Sequence, residues 1–266
     1  MLEKTKYFDE VKSYKFVANK SLGQNFLIDY NVAEKIVKKL DAKGDDNILE
    51  IGAGLGSLSY FLVHEKGQKT IIDVDEKMLS FLNEKFKNIE ELQVKRENIL
   101  KSDLSPYTKI IGNLPYYITS GIIEHILLNA INAETIVLMC QKEVYPKLTK
   151  NNHGPLSILL NYVAEISSPM NVSRSAFVPV PHVDSVVFVL TTNENIKNAS
   201  NKEVYKLMCQ LFLHRRKNIL NCLSHVSGSK EKAKNILLEC GLNENLRPEQ
   251  LDIKDFQKIF EVLKSL

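Results

Sequence analysis

The sequence predicts an α/β fold: a mostly parallel sheet whose last strand runs antiparallel, followed by a small all-helical domain. Three observations predict it. Short apolar runs alternate with helical apolar periods from residue 47 to 164, the pattern of strand-helix-strand units joined by right-handed crossovers. The first run empties into Gly52-Ala53-Gly54-Leu55-Gly56, where glycines let a ligand approach the backbone at a strand's carboxyl end. Beyond residue 195 only helical periods remain.

Taken in order, residues 1–19 are polar with scattered aromatics (Tyr7, Phe8, Tyr14, Phe16) and read as an N-terminal arm. Lys20-Ser21-Leu22-Gly23-Gln24-Asn25-Phe26-Leu27 follows. Asn31 with Glu34 has the spacing of a capping box, and Val32, Ala33, Ile36, Val37 and Leu40 share one helical face. After the turn-like Lys43-Gly44-Asp45-Asp46, residues 47–51 form a buried strand and 57–65 a helix. A second strand at 69–74 precedes a helix from Glu76 bearing Met78, Leu79, Leu82 and Phe86. A third, 92–96, leads to Glu97-Asn98-Ile99-Leu100. The fourth, 109–112, delivers Asn113-Leu114-Pro115-Tyr116-Tyr117 ahead of a helix opening at Thr119 with Ile122, Ile123, Ile126 and Leu127. A fifth strand at 135–140 and a helix at 155–164 complete the alternation. The alternate prolines of Phe177-Val178-Pro179-Val180-Pro181 cannot continue a helix or a central strand, so an extended segment is expected there, then an antiparallel strand at 184–192. A polar linker leads to three helical faces: Val204, Leu207, Met208, Leu211 and Phe212; Ala233, Ile236 and Leu237, stopped by Gly241; and Ile253, Phe256, Ile259, Phe260 and Leu263. Domains are expected at 1–194 and 195–266.

With 44% hydrophobic residues the chain can bury a full core. No run has transmembrane length and no apolar signal core opens the chain, so a cytoplasmic protein is expected. Cys140, Cys209, Cys222 and Cys240 stand singly and the six histidines lack ligand spacing, so neither a disulfide framework nor a metal site is expected. Residues 1–40 carry 8 Lys+Arg against 5 Asp+Glu, 41–192 carry 14 against 18, and 193–266 carry 13 against 9. Positive charge at both ends could rim a site for phosphate backbones, though so mild an excess is also what ordinary solvated helix faces give.

The Asn113–Tyr117 stretch suits one task, gripping a flat base by its exocyclic amine. The Asn113 amide oxygen and the Leu114 carbonyl can each accept one N–H, Pro115 keeps Leu114 out of the helical region, and Tyr116 offers a stacking face. Alone, Asn-x-Pro-Tyr is more often a plain loop. The glycine loop upstream changes the odds. Its spacing departs from the dinucleotide fingerprint, with Ser57 where the last glycine would fall, and resembles S-adenosylmethionine-binding methyltransferases, with an acid before the loop. Asp73, ending the second strand, is then the acid expected on the ribose hydroxyls, and Asn98 and Asn113 follow the third and fourth strands in order.

With these residues in view, the chain resembles the ribosomal RNA adenine dimethyltransferase family, which groups the KsgA enzymes with the Erm resistance methylases and their mitochondrial relatives. The resemblance covers essentially the whole length. It rests on Gly23-Gln24-Asn25-Phe26-Leu27, the glycine loop, Asn113-Leu114-Pro115-Tyr116 and Phe177-x-Pro179-x-Pro181-x-Val183-Asp184-Ser185; Leu211-Phe212 with Arg215-Arg216-Lys217-Asn218-Ile219-Leu220 resembles the small-subunit (KsgA) branch. It implies a Rossmann-like methyltransferase sheet. It implies that Asn25, Leu27, Gly52, Gly54, Asp73, Asn98 and Asn113 line an S-adenosylmethionine site, and that Asn113, Leu114, Pro115, Tyr116 and Phe177 form the catalytic pocket, Tyr116 and Phe177 sandwiching the target adenine. It further implies that Arg215, Arg216 and Lys217 dock RNA, that no metal takes part, and that two adjacent adenines of small-subunit ribosomal RNA are dimethylated during ribosome biogenesis by a protein expected to be a monomer. Two positions depart: the family usually has Glu at position 73 and Asp at position 98. Other readings are large-subunit methylation of the resistance kind, a binding-only assembly factor, and an oxidoreductase. The intact Gly52–Gly56 and Asn113–Tyr116 loops argue against binding alone, and the glycine spacing argues against the oxidoreductase.

Overall fold

The computed structural model describes residues 4–13, 24–149 and 152–265. Tyr14, Phe16 and the Lys20–Gly23 part of the first motif lie outside them. The strands are β1 (Phe26–Leu27), β2 (Asn47–Ile51), β3 (Gln68–Asp73), β4 (Leu92–Arg96), β5 (Lys109–Asn113), β6 (Thr135–Gln141), β7 (Ala164–Ile166), β8 (Met170–Val172), β9 (Phe177–Val178) and β10 (Ser185–Thr192). The helices are α1 (Lys4–Ser13), α2 (Tyr30–Lys38), α3 (Ser59–Leu62), α4 (Glu76–Phe86), α5 (Thr119–Asn129), α6 (Tyr145–Leu148), α7 (Pro155–Val163), α8 (Asn201–Phe212), α9 (Ile219–Ser227), α10 (Lys230–Cys240) and α11 (Ile253–Ser265).

The main sheet has the order β4-β3-β2-β5-β6-β10-β7, with β8 also paired to β10. Strands β4, β3, β2, β5 and β6 are mutually parallel, and β10 is antiparallel to β6, as the sequence predicts. The central strands are continuous apolar runs because both faces are covered: Ile48, Leu49, Ile110, Ile111 and residues 136–140 are all fully buried. The edge strand β4 alternates instead between exposed and half-buried residues. From β2 the chain goes to β3 on one side, and later returns to β5 on the other. Ligands bind at such a switch point, outside the strands' carboxyl ends.

Several elements differ from the sequence expectation. The N-cap of α2 is Asp29, whose carboxylate accepts the Asn31 and Val32 N–H groups, while Glu34 pairs with Lys38 at 2.9 Å, so the Asn31/Glu34 capping box is corrected. The helix expected at 57–65 is helical only over Ser59–Leu62. Part of the supposed arm is the helix α1, with Tyr7, Phe8 and Val11 buried in the core. The proline-punctuated segment begins with a ladder: β9 pairs antiparallel with β1, Phe26 opposite Val178 and Leu27 opposite Phe177. The ladder ends where Pro179 removes a donor.

The described residues fall into two compact units, one within Met1–Tyr145 and Glu165–Asn193, the other comprising Pro146–Ala164 and Glu194–Leu266. The second therefore takes in α7, which packs on α8 and α11. It also holds α9, a helix that periodicity does not separate from the basic run before it.

Candidate functional site

In the first unit, the loops leaving β2, β3, β4 and β5 and the short strand β1 line one cleft of about 300 Å³. Parallel pairing of β2 with β5 sets Ile51 beside Gly112, so the glycine loop and the Asn113 loop leave the sheet side by side. Gly52, Gly54 and Gly56 have φ of +65°, +55° and +74°, conformations that cost little only for glycine. At Gly54 a side chain would also meet the Phe26 ring at 3.1 Å.

Asp73 ends β3 almost buried at the cleft wall. One carboxylate oxygen accepts the Gly54 N–H and the other the Asp75 N–H, both at 2.9 Å. Burial raises its pKa, and these backbone donors oppose the rise. Each oxygen keeps a lone-pair site for a further donor. Glu50, the acid before the loop, is fully buried and takes a 2.7 Å bond from the Ser59 hydroxyl. Burial foremost, with the Asp73 charge adding to it, pushes its pKa up to about 7. Sequence alone gives this acid no role of its own; an acid in an otherwise apolar strand is the available signal.

Across the cleft, Asn98 caps a 3-10 turn, its Oδ1 accepting the Leu100 N–H at 3.0 Å. Val74 and Leu100 line an apolar edge there and are themselves 43% and 38% exposed. The near rim is the segment after residue 23: Gln24 donates to Asp75 at 2.9 Å, and the Ser57 hydroxyl donates to the Leu27 carbonyl.

Asn113 ends β5 and its Nδ2 donates to the Asn25 carbonyl at 3.2 Å. Since a carbonyl only accepts, the amino end must face Asn25, and Oδ1 is left as the acceptor of this amide. The Leu114 N–H donates to the Met139 carbonyl at 2.9 Å, and the Pro115 carbonyl accepts the Thr119 hydroxyl at 2.9 Å, which pins the loop on both sides of the proline. Tyr116 lines the cleft half-buried, its hydroxyl 3.3 Å from Ser185 Oγ; burial raises the phenol's pKa.

Ten of the residues singled out from the sequence therefore meet here: Asn25, Leu27, Gly52, Gly54, Asp73, Asn98, Asn113, Leu114, Pro115 and Tyr116. Phe177 does not. It is fully buried in the core, opposite Leu27 in the β1–β9 ladder, and is not among the residues that line the cleft. Arg215, Arg216 and Lys217 belong to the second unit, exposed on the turn between α8 and α9. Lys217 Nζ lies 3.4 Å from His225 Nε2, whose ring stacks on His214 at 4.5 Å.

Residues 15–265 match the family described as ribosomal RNA adenine dimethylase. The ribosomal RNA small subunit methyltransferase A of Levilactobacillus brevis is 34% identical over 263 residues, covering 91% of this chain and 89% of that protein. Its counterpart from Mycoplasma capricolum subsp. capricolum is 36% identical over 260 residues, covering 92% and 97%. Among solved structures, a dimethyladenosine transferase from Plasmodium falciparum gives a TM-score of 0.74 at 23% identity over 88% of this chain and 96% of its own. The 23S rRNA methyltransferase ErmE gives 0.64 at 24% identity over 90% and 99%. At these identities the two structures speak for the fold.

Proposed function

The chain belongs to the ribosomal RNA adenine dimethylase family, and from that premise we infer an enzyme that moves methyl groups from S-adenosylmethionine to the exocyclic amines of two adjacent adenines in small-subunit ribosomal RNA. The observation that carries this reading is the Asn113 amide. Its donor end is engaged by Asn25, and its acceptor end stands on the loop that also carries the Leu114 carbonyl and the Tyr116 ring.

The cleft fits the cofactor by chemistry and size. Asp73 is an acceptor for a ribose diol, the left-handed glycines leave room where side chains would project, and Val74 and Leu100 offer apolar faces to a flat ring. When bound, S-adenosylmethionine supplies an electrophilic methyl on its sulfonium. An adenine amine is a poor nucleophile because its lone pair is delocalised into the ring. Asn113 Oδ1 and the Leu114 carbonyl accept its two N–H bonds and favour the pyramidal nitrogen that attack requires, an interaction stronger in the transition state than in the ground state. Tyr116 gives a stacking face to a base taken out of its strand. Each methyl replaces an N–H, so a second transfer proceeds with one acceptor engaged.

Arg215, Arg216 and Lys217 are proposed to hold the RNA backbone, and the work is then done where small subunits assemble, in the cytoplasm, by a monomer. No helix among the described residues is long and apolar enough to cross a membrane.

The test combines purified protein, undermethylated small subunits and isotopically labelled cofactor, with nucleosides read by mass spectrometry. Dimethyladenosine in small-subunit RNA alone is expected. Label in large-subunit RNA would move the protein to the resistance branch, and particle binding without label would make it an assembly factor. In calorimetry, Asp73→Ala should weaken cofactor binding by about 2 kcal/mol, the scale of lost charge-assisted hydrogen bonds; undiminished affinity would take Asp73 out of the site.

A further inference from the structure

Helix α1 lies outside every motif above, yet it reaches the glycine loop from behind. Tyr7, 2% exposed, donates its hydroxyl to the Leu55 carbonyl at 2.7 Å, and the same oxygen lies 3.3 Å from the Gly56 carbonyl. The other polar end of the Leu55–Gly56 peptide unit, the Gly56 N–H, donates to the Ala53 carbonyl at 2.9 Å. That peptide plane is thus pinned at both ends, one by the loop itself and one by a side chain from far along the chain. A side chain at Gly56 would come within 2.6 Å of the Tyr7 oxygen, so the glycine makes room for the phenol as well as for its own φ.

We propose that Tyr7 is a positioning residue for cofactor binding: its hydroxyl holds the Leu55–Gly56 peptide so that the cleft face of the glycine loop is preformed. The proposal rests on the reading of this cleft as the S-adenosylmethionine site. Leu55 lines the cleft directly, whereas no residue of α1 does, so α1 meets the cleft through the loop. The ring of Tyr7 is anchored independently of its hydroxyl, among Phe8, Tyr60, Phe81 and Phe86 at centroid distances from 4.7 to 6.4 Å. A 2.5 Å ion pair between Glu10 and Lys85 ties α1 to α4 at a second place. The hydroxyl is the part of Tyr7 that hydrogen-bonds the loop, and removing it should leave the helix docked. Burial, with the Glu50 and Glu10 charges, holds the phenol's pKa high, so the donor keeps its proton. A preformed loop needs no ordering when the ligand arrives, which is how a group that never touches the ligand raises affinity.

The test is calorimetric titration with S-adenosylhomocysteine of the full-length wild type, Tyr7→Phe and Lys85→Met, each with a thermal melt. Tyr7→Phe should weaken binding about three- to tenfold, the scale of one hydrogen bond. Lys85→Met, which loosens α1 without touching the loop, should lower the melting temperature and leave affinity within about twofold. Unchanged affinity in Tyr7→Phe, or an equal loss in Lys85→Met, overturns the proposal, because either result makes Tyr7 an ordinary core residue. A second measurement needs no variant. By reciprocity of coupling, bound S-adenosylhomocysteine should slow hydrogen exchange of the α1 amides, and their indifference overturns the proposal equally. A wild type that binds no S-adenosylhomocysteine would instead fail the reading of the cleft itself.

Discussion

Asn113 and Asn98 are both amides at strand ends, and their hydrogen bonds give them different tasks. In Asn113 the donor end is engaged and the acceptor end is left. Asn113→Ala should therefore cut single-turnover methylation by about two to three orders of magnitude, the scale of removing one preorganised polar partner from a transition state; near-normal turnover would refute its catalytic role. In Asn98 the acceptor end already caps the turn after β4, and the amino end is the group left over. Asparagine and aspartate cap equally well, so Asn98→Asp should keep the turn and bind cofactor as tightly or a few-fold tighter in calorimetry. A large loss would mean that the amino group donates to the cofactor. Both asparagines are legible in the sequence because they follow apolar runs at the right place in the alternation. Which end of each amide is engaged is not legible, since that depends on Asn25 and Leu100 being brought against them. Phe177 is legible as a motif member only. Its burial follows from the pairing with Leu27, and a two-residue strand has no periodicity to read.

The element that carries the charge proposed for docking is the turn from α8 to α9. Asn218 caps α9 by accepting the Asn221 N–H at 3.1 Å, and Ile219 and Leu220 then go straight into the core, leaving Arg215, Arg216 and Lys217 on the solvent side. Replacing the three with alanine should spare the fold and lower the salt-dependence slope of small-subunit RNA binding by about two to three units, nearly one for each phosphate no longer neutralised. An unaltered slope would make them a solvated surface. Six of the eight main-sheet strands and most helices are visible in the sequence because their apolar runs are long enough to show a period, whereas β7 and β8, three residues each, are not. Helix α1 is not, although Tyr7, Phe8 and Val11 carry a helical spacing, because lysines and acids interleaved through so short a segment read equally well as a solvated arm. Helix α9 is hidden for a related reason, its start being masked by the basic run before it.

For the whole molecule, the cleft and the basic turn belong to different compact units, so Asn113→Ala should leave RNA affinity intact and the triple alanine variant should leave cofactor affinity intact. The buried Glu50 adds a global signature. Its pKa is raised from 4.5 to about 7, so the folded state holds its proton where the unfolded state has released it. The stability this proton allows is complete below pH 4.5 and is lost as pH rises through 7. Between those limits the loss amounts to about 3 kcal/mol, and urea unfolding at acid and alkaline pH should show it in the wild type and much less in Glu50→Gln. The β1–β9 ladder has a consequence in time. Synthesis runs from the N-terminus, so the glycine loop, Asp73, Asn98 and Asn113 all emerge while the partner of Phe26 and Leu27 is still untranslated. Until Phe177 and Val178 leave the ribosome, the near rim of the cleft lacks the strand that holds it. The cleft is therefore finished late, its near rim gaining a pairing partner only when every strand of the main sheet but β10 has been made.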